Sequence, residues 1–346
     1  MTPGREPGDT GPLVSIVVGN FNYARFLNAA IDSALGQTYR RVEVIVVDDG
    51  SSDNSREIIA AYGKRIVPVI KAEGGHASAL NSGFRASHGD IVIFLDSDDM
   101  LLKEAAEEVV RAWRPGVAKV QFVLDQIDAQ GRPLGIAVPY TPAAMPDGDL
   151  RERILSEGGY VTPPTSGNAF SRPALEQLMP LAESQWFLAA NTSLEVLAPF
   201  FGDVVSIRRT LGLYRVHGAN YGMLGTSLAP QKLRSKLVTD LQRENAIREF
   251  AARQNMPAPR SHASGDPDHL KYRLASIRLE PKLHPFLDDD RISLMAHGMS
   301  ACWNSGRYNW RGKLFNSVWF PIAALMPISL ARPILRMGIV PRSRPS

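Results

Sequence analysis

Apolar runs alternate with amphipathic stretches through the first hundred residues. Leu13 to Gly19 (LVSIVVG) and Val42 to Val47 (VEVIVV) are continuous and rich in β-branched residues, as strands covered on both faces of a parallel sheet must be. Between them Phe26, Leu27, Ala30, Ile31 and Ala34 recur at helical spacing. The alternation then repeats. Ile58, Ile59 and Tyr62 mark a helix opened by Ser52 or Asp53, followed by a strand near Ile66 to Ile70, a helix from Ala77 to Ala86, and a strand from Ile91 to Leu95. Apolar runs separated by helices specify βαβ units with right-handed crossovers. The predicted fold class is α/β, an open, mostly parallel sheet with helices on both faces and its ligands at the carboxyl ends of the strands.

Beyond Leu101 the pattern is less regular. Val117 to Ile127 reads as a strand that returns through an Asp128-Ala129-Gln130-Gly131 turn to Pro133–Val138. Residues 141–170 read as loop with one short helix near Leu150 to Leu155. Leu175 to Leu181 and Trp186 to Phe200 read as helices, Val204 to Ile207 and Leu211 to Val216 as two closing strands, and Pro230 to Ala252 as a charged amphipathic helix. Leu314 to Ala331 is uncharged but contains Pro321 and Pro327, which favours an interfacial or re-entrant segment over a straight span. The competing reading is a buried helix hairpin.

Charge divides the chain. Residues 1–224 hold 20 Lys and Arg against 26 Asp and Glu, and residues 225–346 hold 19 against 9. After Asp290 there are eight basic residues and no acidic one. The expected organisation is a leader at 1–12, an α/β domain at 13–224 and a helical, basic, membrane-associating region at 225–346. Trp303, Trp310 and Trp319 supply headgroup-level aromatics there, and no RNA- or DNA-binding motif accompanies the basic residues, so nucleic acid is not an expected partner. Met1 to Pro12 lacks an apolar signal core, and the single Cys302 rules out an intrachain disulfide or a cysteine zinc site. The expected location is cytoplasmic, peripheral at the inner face of the membrane.

Two acidic clusters follow strands: Asp48-Asp49-Gly50-Ser51-Ser52-Asp53 and Asp96-Ser97-Asp98-Asp99. Turns and helix caps use such residues. Three carboxylates in four positions nevertheless repel one another unless a cation sits among them, and hard oxygen ligands suit Mg²⁺ or Mn²⁺ bridging phosphates.

The stretches LVSIVVGNFNYARFLNAAIDSALGQTYRRVEVIVVDDGSSDNS and GGHASALNSGFRASHGDIVIFLDSDD resemble the N-terminal half of a family 2 glycosyltransferase of the GT-A fold, and the resemblance extends over roughly residues 13–220. It implies an inverting, metal-dependent transfer of sugar from a nucleotide-diphospho-sugar, with uridine the expected nucleoside, to a glycan or lipid-linked acceptor. Carried over by position, Asp49 accepts a hydrogen bond from the base, while Phe21 and Asn22 border it. Gly19-Asn20 stands where the family often has Pro-Thr. Asp96, Asp98 and Asp99 form the metal and ribose cluster, with Asp98, Asp99 and His217 as expected ligands of Mn²⁺ or Mg²⁺. Arg215, in the Tyr214-Arg215-Val216-His217 segment, is expected to offset phosphate charge.

Inverting transfer needs a carboxylate to deprotonate the acceptor hydroxyl. Where relatives carry an Asp after the Trp, this chain has Asn191, and an amide cannot serve as base. Glu195, one helical turn on, and Glu183, just ahead of the helix, are the substitutes. The alternative is a catalytically impaired nucleotide-sugar-binding protein on the same scaffold. A sugar-nucleotidyltransferase is disfavoured, because Gly19-Asn20-Phe21-Asn22 supplies no cation to grip a triphosphate.

Overall fold

The computed structural model describes residues 11–183, 190–217, 229–259, 265–304 and 308–339. These divide into two compact units: residues up to 154 with 159–218, and residues 155–158 with those from 219 onward.

The first unit is built on a nine-stranded sheet. Its parallel half is the βαβ alternation read from the sequence: β1 (Val14–Asn20), α1 (Ala24–Leu35), β2 (Val42–Asp49), α2 (Ser55–Ala61), β3 (Val67–Lys71), α3 (Gly75–Ala86) and β4 (Ile91–Asp96). The spatial order is β3-β2-β1-β4, all parallel. β1, β2 and β4 are buried over most of their length because helices cover both faces, whereas the edge strand β3 is largely exposed. One face packs Val14, Ile16 and Val18 against Leu27, Ile31 and Ala34 of α1. On α3, Gly83 stands so close to the sheet that a Cβ there would collide with Val17.

The remaining strands mix directions. β5 (Met100–Leu101) and α4 (Ala105–Ala112) lead to β6 (Val117–Ile127), which forms the expected hairpin with β7 (Pro133–Val138). α5 (Arg151–Glu157) follows, then β8 (Asn168–Ser171), α6 (Arg172–Leu178), α7 (Asn191–Leu197) and β9 (Asp203–Arg215). β8 runs antiparallel between β4 and β6, β9 is parallel to β6, and β5 closes the order against β9.

Two expectations change here. The loop assigned to 141–170 contains the buried strand β8, whose four residues are too few to show a period. The two closing strands are one, because β9 continues through the exposed pair Arg208-Arg209 by shifting register against β6. Of the helix expected from Trp186 to Phe200, residues 184–189 lie outside the described ones and α7 begins at Asn191.

The second unit is helical: α8 (Pro230–Arg253), α9 (Pro267–Leu279), α10 (Arg291–Asn304), α11 (Trp310–Leu325) and α12 (Ile328–Ile339). Its core joins Leu233, Leu270, Leu274, Leu294, Trp319, Phe320 and Leu335. The uncharged run is two helices that break at Met326-Pro327, with Pro321 carried inside α11. No helix among the described residues is long and apolar enough to cross a membrane. One stripe of α11 (Trp319, Phe320, Ala323, Ala324) is buried, while the opposite one (Trp310, Leu314, Val318, Leu325) is apolar yet exposed. Gly298 and Gly338 are notches for the inward aromatics: a Cβ on either would lie within van der Waals overlap of Phe320 or Trp319 respectively.

Candidate functional site

β1 is the point where the sheet changes direction. Its connection leads through α1 to β2 on one side, while β4 lies on the other, and the loops beyond the two strands diverge. Such a switch point leaves a crevice outside the carboxyl ends of the strands. The register sets Gly19 against Asp96, so the residues that follow β1 and the Asp96–Asp99 loop face one another across it. β9 delivers Arg215 and, two residues on, His217 to the same place.

On the β1–β2 side the first acidic cluster is mostly scaffold. Asp48 is buried and accepts hydrogen bonds from the Asn20 amide (3.0 Å), the Ser51 N–H (3.2 Å) and Arg56 Nε (3.2 Å). Asn22 adopts positive φ, and its side-chain oxygen accepts from the Ser52 N–H at 2.8 Å. Asp53 accepts the Ala24 N–H (3.0 Å) at the start of α1 on one oxygen and the Ser55 N–H (3.1 Å) at the start of α2 on the other, so it joins the first turns of both helices. Asp49 accepts from Lys71 Nζ and the Gly74 N–H on one oxygen and from the Gly75 N–H (2.8 Å) on the other. A carboxylate offers about four acceptor positions, so a place remains for one more donor. Phe21 is exposed at the rim beside this loop.

On the β4 side the three carboxylates have three different surroundings. Asp98 meets His217, with Oδ2 2.9 Å from Nε2, and the imidazole is walled by Tyr23 and Phe26 with ring centroids 5.4 and 5.1 Å away. Burial first, and then the charge of Asp98, push Asp96 up to about 7. Asp99 is 1% exposed and faces inward, accepting from Ser166 Oγ at 2.6 Å and the Arg215 N–H at 2.9 Å. Burial, with Asp98 and Asp96 adding to it, raises Asp99 well above the usual carboxylate range.

Asp99, expected as a ligand beside Asp98, is thus a brace below it. The expected phosphate partner Arg215 is likewise turned under the loop. Its Nε donates to the Asp98 carbonyl at 2.9 Å, Nη1 reaches the carbonyls of Asp128 and Ala129, and the guanidinium lies 4.7 Å from the Phe26 centroid.

Among the described residues no three His, Cys, Asp or Glu side chains are grouped to hold a metal on their own. The donor chemistry still suits a shared ion. Asp98 and His217 are adjacent, burial and the charge of Asp98 weigh on Asp96, and Mg²⁺ or Mn²⁺ commonly takes one or two protein ligands and fills its sphere with substrate phosphates and water.

The candidate bases lie on and before α7. Glu195 is buried, and its Oε1 accepts from Asn191 Nδ2 at 2.8 Å, one turn earlier. Glu183 is exposed and accepts from Asn81 Nδ2 at 3.3 Å. α3 supports this segment twice. Asn81 exchanges hydrogen bonds with the backbone of Leu181, and His76 Nδ1 accepts the Ala190 N–H at 3.2 Å. Burial lowers His76 to about 4, so the ring, in the first turn of α3, is a neutral acceptor that joins two elements.

Sequence reasoning missed Ser166 and Lys119. Ser166 accepts the Asp96 N–H and donates to Asp99, and nothing in a proline-rich stretch marks it. Lys119 carried a signal: a lysine in mid-strand between Val117-Ala118 and Val120, with Phe122 and Val123 following, has no route to water.

The sequence model described as glycosyl transferase family 2 matches residues 15–177. An uncharacterized glycosyltransferase of Nostoc sp. is 34% identical over 225 residues, 63% of this chain and 69% of the relative. One of Rickettsia typhi, also uncharacterized, is 41% identical over 99 residues, 29% of this chain and 31% of the relative, so the chain spans about a third of that protein. Among solved structures, a mannosyltransferase of Pyrobaculum calidifontis in complex with GDP-Man and Mn²⁺ is 16% identical with a TM-score of 0.52, covering 95% of this chain and 86% of that one. At that identity the likeness speaks for the GT-A fold alone. With the strand order, the crevice at the switch point and the Nostoc relative in agreement, the chain belongs to glycosyl transferase family 2 and is a glycosyltransferase.

Proposed function

We propose that the enzyme is a metal-assisted, inverting transferase that takes its sugar from a nucleotide-diphospho-sugar, with UDP as the expected carrier, and delivers it to a glycan or lipid-linked acceptor at a membrane surface. The observation that carries the reading is the convergence of Asp98 and His217, from β4 and the end of β9, on the crevice beside β1. Asp49 offers its remaining acceptor position to the base, with Phe21 and Asn22 beside it. Asp96 and Asp98 face the ribose and diphosphate. A Mn²⁺ or Mg²⁺ ion held by Asp98 and His217 would neutralise the diphosphate as it leaves. Glu195 takes the proton from the acceptor hydroxyl as that oxygen attacks the anomeric carbon, and the bond to the nucleotide diphosphate breaks on the opposite face. Asn191 orients Glu195 by donating to it, which supports an active enzyme over a binding protein. Glu183, exposed and held by Asn81, is the second position for the base.

Membrane contact is assigned to α10–α12, where Trp303, Trp310, Leu314, Phe315 and Val318 are exposed among Arg311, Lys313, Arg332 and Arg336. Apolar burial and basic charge are the two contributions that interfacial binding combines. Titration calorimetry with UDP and GDP, with Mn²⁺ and with EDTA, tests the donor half of the proposal. Micromolar UDP binding that collapses in EDTA is expected. Equal binding with and without metal overturns the metal role, and preference for GDP reassigns the nucleotide.

A further inference from the structure

Lys119 lies within β6, aligned with Phe170 of β8 on one side and Val204 of β9 on the other, and is 0% exposed. Burying an ammonium is costly, and desolvation lowers this one to about 7. Its bonds go to neutral groups: Tyr160 Oη at 2.8 Å, Thr162 Oγ1 at 2.8 Å and Gln121 Oε1 at 3.3 Å. An ammonium has three N–H groups, so none is left for a phosphate, and a donor-binding role is excluded by that count. The carboxylate whose field favours the protonated form is Glu195.

A second link is mechanical. The Tyr160 hydroxyl that receives Lys119 donates to the main-chain carbonyl of Glu195. The same strap, residues 160–166, ends in Ser166, which holds Asp96 and Asp99. One buried lysine therefore ties the helix that carries the candidate base to the wall that carries the carboxylates. A residue needed only for filling would be apolar, because replacing buried ionic groups with hydrophobic ones of similar size is often neutral or stabilising.

We infer that Lys119 is a positioning residue for transfer, fixing through Tyr160 the helix α7 that carries Glu195. The inference rests on Glu195 as the base. The test uses the full chain and measures nucleotide released from UDP-glucose, UDP-N-acetylglucosamine and GDP-mannose with water as acceptor, together with calorimetric affinity for UDP and GDP. Lys119→Met is expected to lower kcat about 10–100-fold, the range for misplacing a catalytic group, with nucleotide affinity within about twofold of wild type. In a Glu195→Gln background the same change should add nothing, since both act through one group. Tyr160→Phe should show the same pattern at about 3–10-fold and decides the matter if Lys119→Met does not fold. Full additivity in the double variant, a parallel loss of nucleotide affinity, or wild-type kcat in a folded Lys119→Met or in Tyr160→Phe overturns the inference. Full activity in Glu195→Gln removes the base assignment and the inference with it. An impaired Glu195→Gln beside unimpaired Lys119→Met and Tyr160→Phe removes only the role of Lys119.

Discussion

Ser166 holds together two carboxylates that would otherwise push apart. Its hydroxyl accepts from the backbone of Asp96 and donates to the side chain of Asp99, so Ser166→Ala leaves a buried acceptor and a buried donor without their partner. The expected cost is about 1–3 kcal/mol, the usual penalty for such groups, and urea unfolding measures it. Asp98→Ala should behave in the opposite manner. It removes a charge from a crowded anionic wall, so the fold should hold or gain stability, while the increase in nucleotide affinity that Mn²⁺ brings should vanish. Calorimetry with and without Mn²⁺ checks this, and a metal increment that survives in the variant removes Asp98 from the site. At this scale the sequence showed where carboxylates gather but not which way each one faces. Asp48, Asp49, Asp98 and Asp99 are chemically alike, and their roles differ only because Arg56, Lys71, His217 and Ser166 reach them from elsewhere in the chain.

The seven-residue helix α7 is too short to be stable by itself, and its position depends on what grips its start. His76 does so from α3 with a neutral ring. Because its folded value is lowered to about 4 from the ordinary 6.5, the unfolded chain binds this proton more readily. The stability it contributes is complete above about pH 6.5 and drains as pH falls from there toward 4. His76→Asn should flatten that part of the pH profile relative to wild type in urea melts between those limits, and an unchanged slope would show that another group sets it. Asn191→Asp probes the same turn. It replaces a donor to Glu195 with a second negative charge, so nucleotide release should fall if Glu195 is the base, whereas a rise would place the base at position 191. The βαβ half of the sheet was legible because continuous apolar runs report burial on both faces. β8 was hidden by its shortness between Pro163-Pro164 and Arg172-Pro173, and β9 looked like two strands because it carries Arg208 and Arg209 to the surface in mid-course.

For the whole chain, charge and architecture divide at about the same place. The acidic half holds the crevice, and the basic half is a helical unit whose core is shared by α8 through α12. A truncation before Arg291 therefore strips Leu270 and Leu274 of their cover, and the shortened protein should aggregate, whereas a chain ending after residue 228 should keep nucleotide binding. Flotation on anionic vesicles should bring the full chain to the lipid fraction at low salt and weaken without vanishing at high salt, since each basic residue contributes roughly 1 kcal/mol that salt screens and the apolar part is unscreened. Absence from the lipid fraction at low salt would assign the outer stripe of α11 to some other contact. The sequence showed an uncharged run but could not say that it presents grease on two sides at once, because both stripes are apolar and no polar face sets a period. Gly298 and Gly338 determine which stripe turns inward. With Phe320 and Trp319 seated in notches that admit no extra carbon, α11 has no freedom to roll about its own axis and tuck Trp310, Leu314 and Val318 away. A protein that cannot retract its sticky side has only concentration and company to regulate it, so the purified chain should self-associate as it is concentrated and disperse again in mild detergent.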